Sequence, residues 1–320
     1  MKLPLRLPGP ESRRFDAVGF GLNSLDLLAV VPEHPAPNSK HRLEDFAEMP
    51  GGEAATAMVA CARQGFRARY VGSVGSNLHG DMVADALRRE GVDVSAMRRV
   101  IGATNQMAVI LVEPKAGNRT VLWSRDPRLA MTPADVDVEA VTSGRVLMVD
   151  AHDTTASTAA AAAARNAHIP TVLDTERVRP HIDDLMRQID VLIVAETFPA
   201  AFPGASSMGE GLRKLDEQFR PALVVVTLGA EGSLARCGGT EIRTPALPVT
   251  VIDPTGAGDA FRGGFIAGWL RYGPDASVDT LLEYANAVAG CNCLALGAQA
   301  GLPTREQLDR VTRERRDRSK

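Results

Sequence analysis

Asp253-Pro254-Thr255-Gly256-Ala257-Gly258-Asp259 sets two carboxylates around a turn that its glycines allow to bend sharply. Pro254 cannot donate to a sheet, so the strand-like segment 247–252 is expected to end near Asp253. From Asp259 onward Phe261, Phe265, Ile266, Trp269 and Leu270 recur at helical spacing until Gly273-Pro274. A helix starting here leaves the N–H groups of Gly256, Ala257, Gly258 and Asp259 without intrahelical partners, at the positive end of its dipole. Two chemistries fit. Asp259 is either a helix cap, or a general base that takes a proton from a substrate hydroxyl while the N–H groups hold the charge on a transferring phosphoryl group. These residues alone leave both open.

The elements around this turn read as an α/β fold. From residue 145 strands are expected at 145–150, 171–174, 191–194 and 222–228, with helices at 155–168, 181–188 and 208–219 between them. Such alternation implies a parallel sheet with helices on both faces, whose ligands lie beyond the carboxyl ends of the strands. That places Asp150 and Asp174 near a site, with His152, Asp153 and Glu176 close behind, although their spacing forms no metal set. Thr227-Leu228-Gly229-Ala230-Glu231-Gly232 ends the most apolar strand in a turn that suits a hairpin or a close phosphate.

Residues 15–21 (FDAVGFG) form the expected first strand. A dinucleotide fingerprint fails there, because its third glycine falls at Ser24 and the prolines at 32, 35 and 37 leave no room for the helix. Asn23 and Asp26 stand at a strand end, either as ligand groups or as turn formers. Gly51-Gly52 opens the small-residue helix 53–64, with Glu53 and Thr56 in its first turn. The runs 106–112 and 119–124 flank a hairpin signal; with 32–50 they suggest a small sheet, used as a lid or as a dimer contact. The expected division is therefore a core of 15–31, 51–102 and 128–313, a β-sheet lid of 32–50 and 103–127, and flexible tails at 1–14 and 314–320.

Composition excludes several classes. Lys plus Arg at 36 against Asp plus Glu at 39 leaves a net charge of -3, with no overall basic field for nucleic acid. Residues 1–10 lack a signal-peptide core and no apolar run approaches a membrane span, so a cytoplasmic protein is expected. Cys61, Cys237, Cys291 and Cys293 form no CxxC pair and suit reduced structural thiols.

The chain resembles the ribokinase-like (PfkB-type) carbohydrate kinases from its first strand to its final helix. The motifs are residues 253–261 (DPTGAGDAF), Gly51-Gly52 before a small-residue helix, Gly72-Ser73-Val74-Gly75 before Gly80-Asp81, and residues 227–232 (TLGAEG), in the family's order. The resemblance implies a doubly wound α/β domain with a β-sheet lid, ATP as donor and a sugar hydroxyl as acceptor. It makes Asp259 the base, and Gly256, Ala257 and Gly258 the anion hole. Asn23, Asp26, Gly51, Gly52 and Thr56 fall at the sugar. Thr227, Gly229 and Gly232 border the phosphates, and Asn286 and Ala289 line the adenine pocket. Mg2+ is implied, with the monovalent cation K+ a further candidate cofactor.

Two departures stand out. Ala195-Glu196-Thr197-Phe198 replaces the usual Asn-x-x-Glu, leaving Glu196 as the candidate metal residue, and Thr56 replaces a sugar-binding asparagine. Residues 51–57 and 297–303 look closest to sulfofructose kinases, in which Lys40 aligns with a lysine on the anionic head group; residues 117–120 and 91–95 resemble ketohexokinases. A ketose-like or sugar-acid acceptor is the expectation. A nucleoside kinase and a non-catalytic sugar- or nucleotide-binding regulator stay open as alternatives.

Overall fold

The computed structural model describes residues 1–115 and 117–318, the last five by backbone alone. In chain order the first half runs β1 (Ala17–Phe20), β2 (Ser24–Val30), β3 (Asp45–Gly51), α1 (Glu53–Arg63), β4 (Ala68–Val71), β5 (Ser73–Gly75), α2 (Leu78–Arg89), β6 (Arg98–Val100), β7 (Met107–Glu113), β8 (Asn118–Ser124) and α3 (Val138–Val141). Then follow β9 (Val146–Asp150), α4 (Thr154–Asn166), β10 (Thr171–Thr175), α5 (Ile182–Met186), β11 (Val191–Ala195), α6 (Thr197–Ala201), α7 (Met208–Phe219) and β12 (Leu223–Thr227). The chain closes with β13 (Ser233–Cys237), β14 (Thr240–Thr244), α8 (Ala257–Tyr272), α9 (Val278–Asn292) and α10 (Arg305–Arg318).

The main sheet has the order β14-β13-β12-β11-β10-β9-β1-β4. It is parallel from β12 to β4, while β13 and β14 close one edge as an antiparallel hairpin. Every residue of β1, β4, β9 and β10 is buried, as strands covered on both faces must be. One face packs under α1, α8 and α9 through Met58, Phe265, Trp269 and Val288; the other packs under α4 and α7 through Ala160, Ala164, Leu212 and Leu215. This is the doubly wound α/β arrangement that the motifs implied. No helix among the described residues is long and apolar enough to cross a membrane.

A separate four-stranded sheet, β3-β2-β7-β8, stands beside the core where the lid was expected. Its composition corrects one expectation: β2, read as part of the core, is a central lid strand, antiparallel to β3 and parallel to β7. The misreading has a physical cause. Six of the seven β2 residues are buried, because Leu25 joins the main core and Leu28 packs with Ala108, Ile110 and Val112 beneath the lid. Burial on both faces gives a lid strand the same apolar run as a core strand.

Two further expectations change. Segment 247–252 is not a strand; Pro245 and Pro248 remove donors, and its link to a neighbour is the Ile252 N–H to the Cys293 carbonyl, 2.8 Å. The amino-terminal segment is not a free tail, since Lys2 bridges to Ser277 and Leu3 is buried in the core. At the other end the helix runs on to Arg318, and residues 319 and 320 of the expected tail lie outside the described residues.

Candidate active site

Helix α8 begins in a turn held from both sides. The Asp253 carboxylate accepts the Thr255 N–H (2.9 Å) and hydroxyl (2.7 Å) on one oxygen and the Gly297 N–H (2.8 Å) on the other. The last bond draws the loop after α9 against Gly256, whose φ is +72°. A Cβ at Gly256 would lie 2.6 Å from the Ala298 carbonyl oxygen, so handedness and space both demand glycine there. The turn also corrects the anion hole. Ala257 spends its N–H on the Pro254 carbonyl (3.2 Å), leaving the N–H groups of Gly256, Gly258 and Asp259 without an acceptor among the described residues.

Asp259 is half-buried on the wall of a cavity of about 690 Å3. Burial pushes its carboxyl up to about 7, the nearby Glu53 charge pushes the same way, and Arg262 opposes both. That value suits a general base working near neutrality. Arg262 points inward from α8, with Nη2 2.8 Å from Asp174 Oδ1 and 3.2 Å from the Ile193 carbonyl. At the end of β9, His152 Nε2 lies 3.0 Å from Glu53 Oε2. Burial alone would lower the His152 pKa, but the Glu53 partner outweighs it and the imidazole is held above its usual value.

On the lid side Asp26 is buried, and burial lifts its carboxyl to about 6 against the Ser24 hydroxyl, which donates to it at 2.7 Å. A Cβ on Gly51 would fall 2.0 Å from Asp26 Oδ2, so the first glycine of the pair lets β3 lie against the acid. Gly52 and Asp26 both line the larger cavity. A second, mostly apolar cavity of about 270 Å3 adjoins it, walled by Leu247, Val249, Phe261, Asn286 and Ala289. Thr227, Gly229 and Gly258 line both cavities, and Gly232 the smaller one. The turn that opens α8 therefore sits where a polar chamber meets an apolar slot.

Several expected ligand residues lie elsewhere. Asn23 donates to the Tyr70 hydroxyl and the Ser73 carbonyl, both at 2.7 Å, and accepts from Asn105 at 3.1 Å, so its amide is consumed at the base of the lid. Thr56 is fully buried and accepts from Gln299 at 3.2 Å. Neither lines the cavity. Lys40 is exposed in the loop before β3, and Glu196 is exposed beside the cavity-lining Ala195, both outside the lining. Among the described residues no group of three or more His, Cys, Asp and Glu could hold a metal ion.

Sequence reasoning missed Arg262 and Ser24. Arg262 carried a signal, being a lone charge inside the apolar run from Phe261 to Leu270. Ser24 did too, since it stands two residues before Asp26 on one strand face.

The buried acids make a prediction. Asp26, Asp150 and Asp259 are raised from 3.8 to about 6, 6 and 7, so the folded chain keeps protons that the unfolded chain releases in that window. Their contribution to stability falls as pH rises through it. His152, raised above 6.5, acts the same way, its stabilisation being present below 6.5 and lost above its folded value. Acids that are lowered, such as Asp16, Glu53, Glu90 and Asp93, cost stability only toward pH 4 and below. The urea midpoint of the ligand-free protein is expected to be higher near pH 5.5 than near pH 7.5. An equal or reversed pair of midpoints would contradict this account of the site.

Comparison with known proteins follows the same lines. The family model described as pfkB family carbohydrate kinase matches residues 15–305. A fructokinase of Klebsiella pneumoniae is 29% identical over 294 residues, covering 86% of this chain and 94% of the relative. A ribokinase of Bacillus subtilis is 25% identical over 296 residues, covering 91% and 97%. Among solved structures, Arabidopsis thaliana ribokinase complexed with ribose and ATP superposes with a TM-score of 0.78, at 22% identity, over 93% of this chain and 98% of that one. At that identity the last likeness is one of fold.

Proposed function

The chain belongs to the pfkB family of carbohydrate kinases, and from that premise we propose that it transfers the γ-phosphoryl group of ATP to a primary hydroxyl of a ketose-like or sugar-acid acceptor. The observation that carries this reading is the position of Asp259. A half-buried carboxyl with a pKa near 7 borders the free N–H groups of the α8 turn, at the junction of a polar and an apolar cavity. The apolar slot suits an adenine ring, with the phosphates passing Thr227 and Gly229 to the turn. The acceptor then lies toward Asp26, Ser24 and Gly52, with the hydroxyl to be phosphorylated facing Asp259.

Asp259 takes the hydroxyl proton as the oxygen attacks in line, and the N–H groups of Gly258 and Asp259 face the charge that spreads over the transferring group. Lid residues Gln106, Ala108 and Ile110 close the chamber over the acceptor and keep water from the phosphoryl group. Magnesium belongs to the substrate, MgATP, with phosphate and water oxygens forming most of its shell, the usual habit of this ion. A homodimer through the lid remains part of the reading, supported by the apolar Phe46 and Leu122, 52% and 59% exposed on β3 and β8.

A coupled ADP-release assay over fructose, sulfofructose, ketodeoxygluconate, ribose and adenosine tests the proposal. Turnover is expected with a ketose or the sugar acid. Adenosine as the best acceptor would favour a nucleoside kinase, and silence across the panel with intact ATP binding would favour a regulator.

A further inference from the structure

Three cations lining the larger cavity have an acidic partner within it. Arg262 meets Asp174 at 2.8 Å, Arg177 meets Glu176 at 3.2 Å and His152 meets Glu53 at 3.0 Å. Two others, Arg119 on β8 and Arg179 in the loop between β10 and α5, line the same cavity. Among the described residues neither has an ion pair or a side-chain hydrogen bond. The remaining lining acids are Asp26 and Asp259, and burial holds both toward the neutral form. At pH 7 a carboxyl near 6 is mostly ionised and one near 7 about half, so these two acids offset only part of the charge of the two unpaired guanidinium groups.

The two arginines stand in different places. Arg119 acts electrostatically on Asp259 and on Cys293, which lines the smaller cavity, so it stands on the side where the phosphates of the nucleotide are available to it. Arg179 follows β10, two strands across the sheet from the β12 turn that borders the nucleotide. At about 4.8 Å per strand the carboxyl ends of β10 and β12 are roughly 10 Å apart. Arg179 is half-buried, and its field acts on Glu53 and His152. Since His152 already neutralises Glu53, and Arg177 neutralises the exposed Glu176, neither acid cancels the charge of Arg179. A planar fork with five donors, set on the acceptor side without a counter-ion, is the usual means of gripping a carboxylate, sulfonate or phosphate in two-point fashion.

We propose that the acceptor itself carries an anionic oxygen group, and that Arg179 binds it. The preferred substrate is then a charged ketose or a sugar acid, and a neutral sugar is a poor one. This rests on the kinase reading above and narrows it, and it moves recognition of the anion from Lys40, which stands outside the cavity, to the loop after β10.

The test measures kcat/KM with MgATP for D-fructose, fructose 6-phosphate, sulfofructose and ketodeoxygluconate. At least one anionic acceptor should exceed fructose by about tenfold or more, with the gain mainly in KM. The four probes also separate phosphate, sulfonate and carboxylate as the group read. In Arg179→Met the ratio of the best anionic acceptor to fructose should fall at least about tenfold, Arg179→Lys should recover part of it, and Arg119→Met should lower turnover without changing the ratio. Thermal melts of each variant check that the fold is kept. Fructose matching every anionic acceptor, or a ratio unchanged in Arg179→Met, would overturn the inference and leave the kinase reading standing. No sugar-dependent ADP release with any probe would overturn both.

Discussion

Asp259→Asn is expected to lower kcat by about a thousandfold, within the range of roughly 10² to 10⁴ that general-base catalysis contributes, while ATP binds nearly as before. The asparagine has the size of the acid but cannot take a proton. Asp259 makes no side-chain hydrogen bond within the described chain, so the exchange leaves no partner stranded. The N–H groups beside it belong to the backbone and remain. Wild-type kcat/KM should also fall as pH drops below about 7, because only the ionised carboxylate accepts the hydroxyl proton. Steady-state kinetics and equilibrium ATP titration on the same preparation decide the matter. Sugar-dependent ADP release within a few-fold of wild type would remove Asp259 from the role of base, and a matched loss of ATP affinity would make it a nucleotide-binding residue instead.

The second large effect is on folding. Arg262 and Asp174 are 3% and 4% exposed and meet at 2.8 Å in the wall of the cavity. Replacing Arg262 with Met strands the acid in the interior, where breaking such a pair typically costs about 3 to 5 kcal/mol. Burial already drives the Asp174 carboxyl upward and Arg262 opposes it, so the stranded acid would take a proton. The loss should then be smaller near pH 5.5 than near pH 7.5. Adding Asp174→Asn removes the stranded charge and should restore a large share of the stability in urea denaturation. A single variant as stable as wild type would mean that solvent reaches the pair.

What the sequence disclosed and what it hid divide along a physical line. The α8 turn was readable because everything that makes it is local: a proline that ends donation, glycines that permit the turn, and a helical repeat that starts at once. The parallel sheet was readable because a strand covered on both faces carries an apolar run, which spans all of β11 and four of the five residues of β9 and of β12, though only Val172 and Leu173 of β10. Asn23 and Asp26 looked alike from the sequence, as polar groups near a strand end. Only the register of β2 separates an amide spent on Tyr70 and Asn105 from a carboxylate that faces the cavity. Thr56 and Gln299 are 243 positions apart, and no local pattern announces a hydrogen bond of that span. The same holds for Glu53 with His152, whose residue types were noticed but whose pairing depends on where β9 ends relative to α1.

Placing Asp26 and Ser24 on a central strand of the lid couples holding the sugar to shutting out water. On the proposed reading, a sugar bound at Asp26 would draw down the same sheet that roofs the chamber, so that occupancy by the acceptor and dryness at the phosphoryl group would rise together. Once the phosphate has moved, the product can depart only by prising that roof open, which makes the mechanics of escape a natural candidate for the slowest event in the cycle.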